Sequence, residues 1–145
     1  MLLRNSPEVK DAHTIDVHLA GQPVHIHADE SQIRQIIWNL ATNGLRAMPE
    51  GGALRISAVH DQAGERHAVL KVEDEGVGIP PEDVDAIFQP FRGSFGKGSG
   101  LGLAIVHRIV TDYGGHIDVT STVGRGTEFR VVFPESVDVS TRQAS

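Results

Sequence analysis

The sequence contains no cysteine, which excludes a disulfide framework and every site that depends on a thiolate. No apolar run approaches the about 18 residues that a membrane-spanning helix needs, and the start shows no secretory signal pattern. The net charge is −6 and no basic stripe is present, so the chain lacks the electrostatic footprint of a nucleic-acid-binding protein. We therefore expect a cytoplasmic, monomeric domain that contacts neither nucleic acid nor membrane.

The pattern of apolar residues predicts the secondary structure. Helical spacing predicts one helix from the N-cap Asp29, with Gln32 in the capping-box position, to the turn at 49–52, and a second helix over 101–113. A proline start predicts a short helix over 80–87. Alternating apolar residues predict three hairpins, formed by strands over 14–19 and 24–28, 54–60 and 67–73, and 116–122 and 127–133.

These elements predict an α+β fold. We expect a two-layer sandwich whose mixed, mostly antiparallel sheet is covered on one face by three helices. The 145 residues suffice for one such domain with a buried core. We assign residues 13–134 to this domain, residues 1–12 to a linker remnant and residues 135–145 to a disordered tail.

Two asparagines lie one turn apart on the first predicted helix. Asn43 falls at the rim of the apolar face, and Asn39 and Arg46 lie just beyond it, so the three side chains are neighbours. An amide oxygen suits Mg²⁺ and a cation suits phosphate, so this stripe can hold a metal together with a phosphate group. Taken alone, such a stripe is more often a solvated helix edge.

A second stretch, Asp74-Glu75-Gly76-Val77-Gly78, follows the apolar strand over 67–73. A carboxylate at a strand end can accept a hydrogen bond from an exocyclic amine, and the glycines let the backbone pass close to a flat ring. Taken alone, this stretch fits an acidic surface turn better.

The third stretch is rich in glycine. Five of the sixteen glycines lie between Gly93 and Gly102, and the segment enters the predicted helix at Leu101. Backbone amides at such a helix start form a ready anion site, although a flexible linker explains the segment equally well. The spacing matches neither a Walker loop nor a dinucleotide fingerprint.

Taken together and in this order, the stretches resemble the ATP-binding catalytic domain of bacterial sensor histidine kinases. The similarity covers about residues 14–134. It rests on four sequence boxes, which are Asn39–Asn43, Asp74–Gly78, Ile87–Phe91 and Gly98–Leu103. The last predicted hairpin also matches the family, at Tyr113–Ile117 and Gly124–Phe129. The segment Asn43–Gly52 is most similar to the nitrogen-regulation branch of these kinases.

The resemblance implies the Bergerat ATP-binding fold, with ATP and Mg²⁺ as cofactors. Asn43 would be the Mg²⁺ ligand, and Asp74 would bind the adenine amine, helped by Thr127 through water. Gly76, Gly78 and Ile79 would belong to the adenine pocket. Other segments would form or anchor a lid over the phosphates; they comprise Phe88, Phe91, Gly98, Ser99, Gly100, Leu101 and Gly102.

Asn39 bears on the reaction type. ATPase relatives carry a glutamate at the matching position as a general base, and an amide cannot accept that proton. Asn39 therefore favours phosphoryl transfer, which depends mainly on positioning and charge stabilisation, over hydrolysis.

The sequence departs from the family pattern in the lid, where Phe95 occupies the usual lysine position. We expect Lys97 or Arg92 to supply the missing cation, or Arg46 to supply it from the helix. Together with Asn39, Arg46 and Lys97 are the predicted catalytic residues.

In these kinases the phosphoacceptor is a histidine followed by an acid on a dimerisation helix, and none of the eight histidines has that context. The expected partners are therefore a dimerisation domain of the same full-length kinase, which carries that histidine, and the receiver domain of a response regulator. The full-length protein can be membrane anchored. A metal pair of His25 and His27 is conceivable, although a solvent-facing strand edge explains their spacing better.

Three alternative functions stay open. The first is a nucleotide-binding regulatory module without transfer, and the second is an anti-sigma-type serine kinase on the same fold. The box around Phe88 and Phe91 argues against the serine kinase. The third, a gyrase-type hydrolase, is disfavoured by Asn39.

Overall fold

The computed structural model describes residues 13–19, 28–61, 67–89 and 102–134. The described elements are β1 (His13–Leu19), α1 (Glu30–Arg46), β2 (Gly52–Asp61), β3 (His67–Asp74), a 3₁₀ helix (Pro81–Ala86), α2 (Gly102–Asp112), β4 (His116–Thr122) and β5 (Gly126–Pro134). The predicted α+β class is confirmed, with helices packed on a mixed sheet. The predicted short helix over 80–87 is a 3₁₀ helix that begins one residue after Pro80.

The described part of the sheet has five strands in the order β1-β2-β3-β5-β4. β2 with β3 and β4 with β5 form two of the three predicted hairpins, and β5 also pairs antiparallel with β3. β1 instead pairs in parallel with β2, and α1 separates these two strands in the sequence. The predicted partner strand over 24–28 lies outside the described residues except for Ala28, which is part of a bend.

The core lies between the sheet and the helices. The apolar stripe of α1 is buried as its spacing predicts, with Ile36 and Leu40 fully enclosed and Ile33 and Ile37 packed against the same cluster. β3 and β5 contribute their inner faces, and Phe129 is the largest fully buried side chain. Burying such side chains stabilises the domain by about 1.5–3 kcal/mol each.

Hydrogen bonds join α1 and α2 at both ends of their contact. Asp29 caps α1, and its Oδ1 accepts from the Ser31 N–H at 2.9 Å. The predicted capping box does not form, because Gln32 accepts a hydrogen bond from the Tyr113 hydroxyl while the Asp29 N–H donates to the same hydroxyl at 3.1 Å. At the other end, Asn39 Nδ2 donates to the Gly102 carbonyl at 3.2 Å.

No helix in the described part of the chain is both long enough and apolar enough to cross a bilayer.

Candidate functional site

The predicted site centres on Asp74, the last residue of β3, whose side chain is buried with 8% of the residue exposed. The backbone N–H groups of Gly76 and Thr127 donate to its carboxylate, and the Gly76 distance is 2.8 Å. No described lysine, arginine or histidine forms an ion pair with it. Burial raises the pKa of Asp74 from its ordinary 3.8 to about 6, against the two backbone hydrogen bonds, which lower it.

A glycine in α1 allows the helix to approach this carboxylate. A Cβ built on Gly44 would lie 3.4 Å from Asp74 Oδ2 and only 2.8 Å from Leu54 Cδ1. The predicted metal ligand, Asn43, is the residue before Gly44 on the same helix. The prediction did not include Gly44, although a glycine inside a helix is a signal of close packing.

The loop after β3 is fixed by hydrogen bonds to several elements. The Val77 N–H donates to the Ala47 carbonyl at 3.0 Å, and the Val77 carbonyl accepts from the Gly124 N–H at 2.9 Å. The Glu75 side chain accepts from the Ala53 N–H at 2.8 Å. These hydrogen bonds fix the conformation of the loop, and a preorganised loop lowers the entropic cost of binding a ligand.

Close contacts require glycine at two positions of the loop after β3. A Cβ on Gly76 would lie 2.5 Å from the Ala47 carbonyl oxygen, and a Cβ on Gly78 would lie 2.4 Å from that of Thr122. Gly78 also has a φ of +78°, which side chains rarely adopt. Both glycines are therefore needed where the turn packs against the protein's own backbone, and their predicted role beneath an adenine ring stays a prediction.

Thr127 lies directly across from Asp74 in the β3–β5 register and is buried. Its Oγ1 is 2.8 Å from Ser121 Oγ, which also accepts from the Ile79 N–H at 2.7 Å. The Ile79 side chain itself is buried in the core, so this residue contacts the site through its backbone. The sequence analysis did not include Ser121, because one polar residue in an alternating strand carries no special signal.

The two asparagines of α1 differ in their surroundings. Asn39 is half-buried and donates to Gly102, while its Oδ1 accepts from Gln35 Nε2 at 2.9 Å. Asn43 is also half-buried, and its side chain has no hydrogen-bond partner among the described residues. A side-chain amide oxygen without a hydrogen-bond partner among the described residues can serve as a ligand for Mg²⁺. One such protein ligand suffices, because Mg²⁺ usually takes few protein ligands and completes its shell with phosphates and water.

The remaining predicted residues lie elsewhere. Arg46 is exposed at the end of α1. Phe88 packs against the core, with its ring centroid 6.2 Å from that of Phe129 and 5.6 Å from that of His107. Several predicted residues lie outside the described part of the chain; they are Phe91, Lys97, Gly98, Ser99, Gly100 and Leu101, together with Arg92, Phe95, His25 and His27.

A cavity of about 200 Å³ borders the same strand ends. Three of its lining residues are the site residues Asp74, Ser121 and Thr127, and the others are Glu73, Thr120, Thr122, Arg125, Gly126 and Glu128. The cavity therefore reaches the end of β3, where Asp74 lies. The described residues contain no group of three or more histidine, aspartate or glutamate side chains that could hold a metal.

Comparison with known proteins decides the family. Residues 28–137 match the family described as histidine kinase-, DNA gyrase B-, and HSP90-like ATPase. The chain belongs to this family. Sporulation kinase D of Bacillus subtilis (strain 168) is 46% identical over 119 residues, which are 82% of this chain and 23% of that protein. The sensor histidine kinase ZraS of Escherichia coli (strain K12) is 37% identical over 77% of this chain and 23% of its own length.

Solved structures agree with this ATPase family. Full-length ShkA, whose crystal structure is a complex with AMPPNP, superposes with a TM-score of 0.74 and 31% identity over 94% of this chain and 30% of that one. The nucleotide-free catalytic domain of the histidine kinase ThkA superposes with a TM-score of 0.70 and 30% identity, over 83% and 79% of the two chains. This ATPase-family chain spans about a quarter of the length of sporulation kinases C and D, and 13% of the length of the sensor kinase CckA of Brucella abortus (strain 2308). The nitrogen-regulation branch stays a prediction.

Proposed function

We propose that the chain is the ATP-binding catalytic domain of a two-component sensor histidine kinase. It binds ATP with Mg²⁺ and transfers the γ-phosphoryl group to a histidine on a separate dimerisation domain. The observation that carries the proposal is the buried carboxylate of Asp74, whose partners among the described residues are backbone groups and which lies against the glycine of α1. A buried carboxylate without a cation is costly unless a ligand uses it, and such groups concentrate at functional sites.

The base end of the nucleotide lies at Asp74. Its carboxylate accepts a hydrogen bond from the exocyclic amine of adenine, and Thr127 supports that contact through a water. Gly76 and Gly78 form the turn beneath the ring, and the Ile79 backbone anchors this turn to β4. The support is the hydrogen-bonded loop and the strand register that places Thr127 opposite Asp74.

The phosphate end lies along α1. Asn43 would hold Mg²⁺ through its amide oxygen, a donor that suits this ion. When bound, the ion would supply positive charge against the phosphates. Gly102 begins α2. The residues before it surround the phosphates, namely Gly98, Ser99, Gly100 and Leu101. Lys97, Arg92 or Arg46 supplies a cation there, and Phe88 and Phe91 anchor this segment.

Asn39 favours transfer over hydrolysis. Its Nδ2 faces the carbonyl of Gly102 and its Oδ1 accepts from Gln35, so both ends of the amide already have partners. An amide is also far too weak a base to activate water. The domain therefore positions ATP for a nucleophile from elsewhere, namely the histidine of the dimerisation domain, and a receiver domain takes the phosphoryl group next.

Two experiments test the proposal. Calorimetric titration with an ATP analogue should give Mg²⁺-dependent binding for the wild type, no binding for Asp74→Asn and weakened, Mg²⁺-insensitive binding for Asn43→Ala. Asp118→Asn, an exposed aspartate on β4, is the matched control and should bind normally. An unchanged affinity of Asp74→Asn for the ATP analogue would overturn the assignment of the nucleotide site.

The transfer step is tested by adding a dimerisation domain in trans. Acid-labile phosphohistidine on that domain supports the kinase. Tight ATP binding without transfer supports the regulatory module instead, and an acid-stable product supports a serine kinase.

A further inference from the structure

The hydroxyl of Ser121 has three neighbours beside the proposed base site. Ser121 Oγ lies 2.7 Å from the Ile79 nitrogen, 3.1 Å from the Gly126 carbonyl oxygen and 2.8 Å from Thr127 Oγ1. These distances all fall within hydrogen-bond range. Ser121 therefore links the loop after β3 to the start of β5.

The chemistry of these neighbours fixes which atom donates. A serine hydroxyl has one hydrogen and two lone pairs. The Ile79 N–H can only donate and the Gly126 carbonyl can only accept, so Ser121 directs its hydrogen to Gly126 and one lone pair to Ile79. The second lone pair faces Thr127, which must donate. Only this arrangement of hydrogens makes all three contacts hydrogen bonds.

The arrangement determines what Thr127 offers to a ligand. Because its hydrogen is directed to Ser121, its Oγ1 presents only lone pairs. Asp74, directly across the strand pair, is likewise an acceptor when ionised. A purine with an amine at C6 can donate to this pair of acceptors, directly or through a water, whereas a purine with a carbonyl at C6 presents a third acceptor.

We propose that Ser121 is a positioning residue for nucleobase specificity, because it keeps Thr127 an acceptor and so favours adenine over 6-keto purines. The inference rests on the proposed function, which places the base at Asp74. Ser121 acts through Thr127 and does not itself touch the nucleotide.

The test compares dissociation constants for ATP and inosine triphosphate, whose base carries the carbonyl. Ser121→Ala frees the Thr127 hydroxyl to rotate and donate, so the preference for ATP should fall by about fivefold to tenfold, the loss expected when one hydrogen bond is no longer oriented. Ser121→Thr keeps the hydroxyl and should retain the wild-type preference. In a Thr127→Val background, Ser121→Ala should change the preference no further.

The ratio of the two constants distinguishes this role from a structural one, because a loosened fold weakens both nucleotides alike. An unchanged ratio in Ser121→Ala that still binds ATP overturns the inference and leaves the proposed function standing. Normal ATP binding by Asp74→Asn overturns the proposed function instead. If Ser121→Ala does not fold, Ser121→Cys carries the same test, since a thiol of similar volume is a weak hydrogen-bond partner.

Discussion

At the scale of single residues, Asp74 shows how a binding group lowers stability. Its pKa is raised by burial from 3.8 to about 6, so the folded state disfavours the ionised form. The folded and unfolded chains are both protonated below pH 3.8, and the penalty is absent there. It grows as the pH rises from about 4 to 6 and is complete above that range. The wild type thus contains a destabilising group at neutral pH.

Asp74→Asn should therefore stabilise the domain at pH 8 while it abolishes nucleotide binding. We expect a gain of about 1–3 kcal/mol in the free energy of unfolding, because the asparagine oxygen still accepts from Gly76 and the charge is gone. The gain should vanish near pH 4. Urea unfolding at several pH values measures it, and a gain that is constant with pH would contradict the assignment.

Asn39 illustrates a residue whose type was predictable and whose contacts were not. Helical spacing placed it beside Asn43, but the sequence gives no sign that its amide joins α1 to the first residue of α2. That contact joins residues 63 positions apart, and local patterns do not encode such a pairing. Ser121 escaped prediction for the same reason.

Replacing Asn39 tests this contact. Asn39→Ala should lower the free energy of unfolding by about 1 kcal/mol, the usual net value of one hydrogen bond. Asn39→Asp should cost more, because it turns a carboxylate oxygen toward the Gly102 carbonyl oxygen. Chemical denaturation ranks the two variants, and equal stability of Asn39→Asp and the wild type would rule out the contact.

At the scale of elements, the hairpins and α1 followed from local signals. Asp29 caps the helix as its residue type predicts, and the turns at Gly114 and Gly124 lie where glycine marks the end of an element. The parallel pairing of β1 with β2 did not follow, since a parallel pair is joined across a whole crossover and leaves no mark in either strand.

The glycine turn after β3 gives a prediction at this scale. Gly78 and Gly124 have nearly the same φ, +78° and +82°, but only Gly78 is crowded. Gly124→Ala should cost about 1–2 kcal/mol from backbone strain alone. Gly78→Ala adds a steric clash with β4 and should cost about 3 kcal/mol or more. Thermal unfolding compares the pair, and equal losses would show that the turn is not packed as described.

At the scale of the whole molecule, the fold brings three distant segments to one surface. β3 contributes Asp74, α1 contributes Gly44, and β5 contributes Thr127. The order of the sequence boxes predicted the fold, whereas the close approach of α1 to Asp74 needed coordinates, because it depends on packing around a single glycine.

Ligand binding should stabilise this assembly as a unit. At an ATP analogue concentration of about 100 times the dissociation constant, with Mg²⁺, the free energy of unfolding should rise by about 2.7 kcal/mol. Thermal shift assays report the effect. Asp74→Asn should show no shift and Asp118→Asn a full one; a full shift in both would place the nucleotide elsewhere.

The central claim is that Asp74 and Asn43 bind opposite ends of one nucleotide. A crystal structure with Mg²⁺ and a non-hydrolysable ATP analogue tests it most directly. We predict that a carboxylate oxygen of Asp74 accepts a hydrogen bond from the adenine amine while Asn43 Oδ1 coordinates the ion on the phosphates. A nucleotide whose base contacts neither Asp74 nor its water shell, or whose Mg²⁺ has no contact with Asn43, would contradict the account.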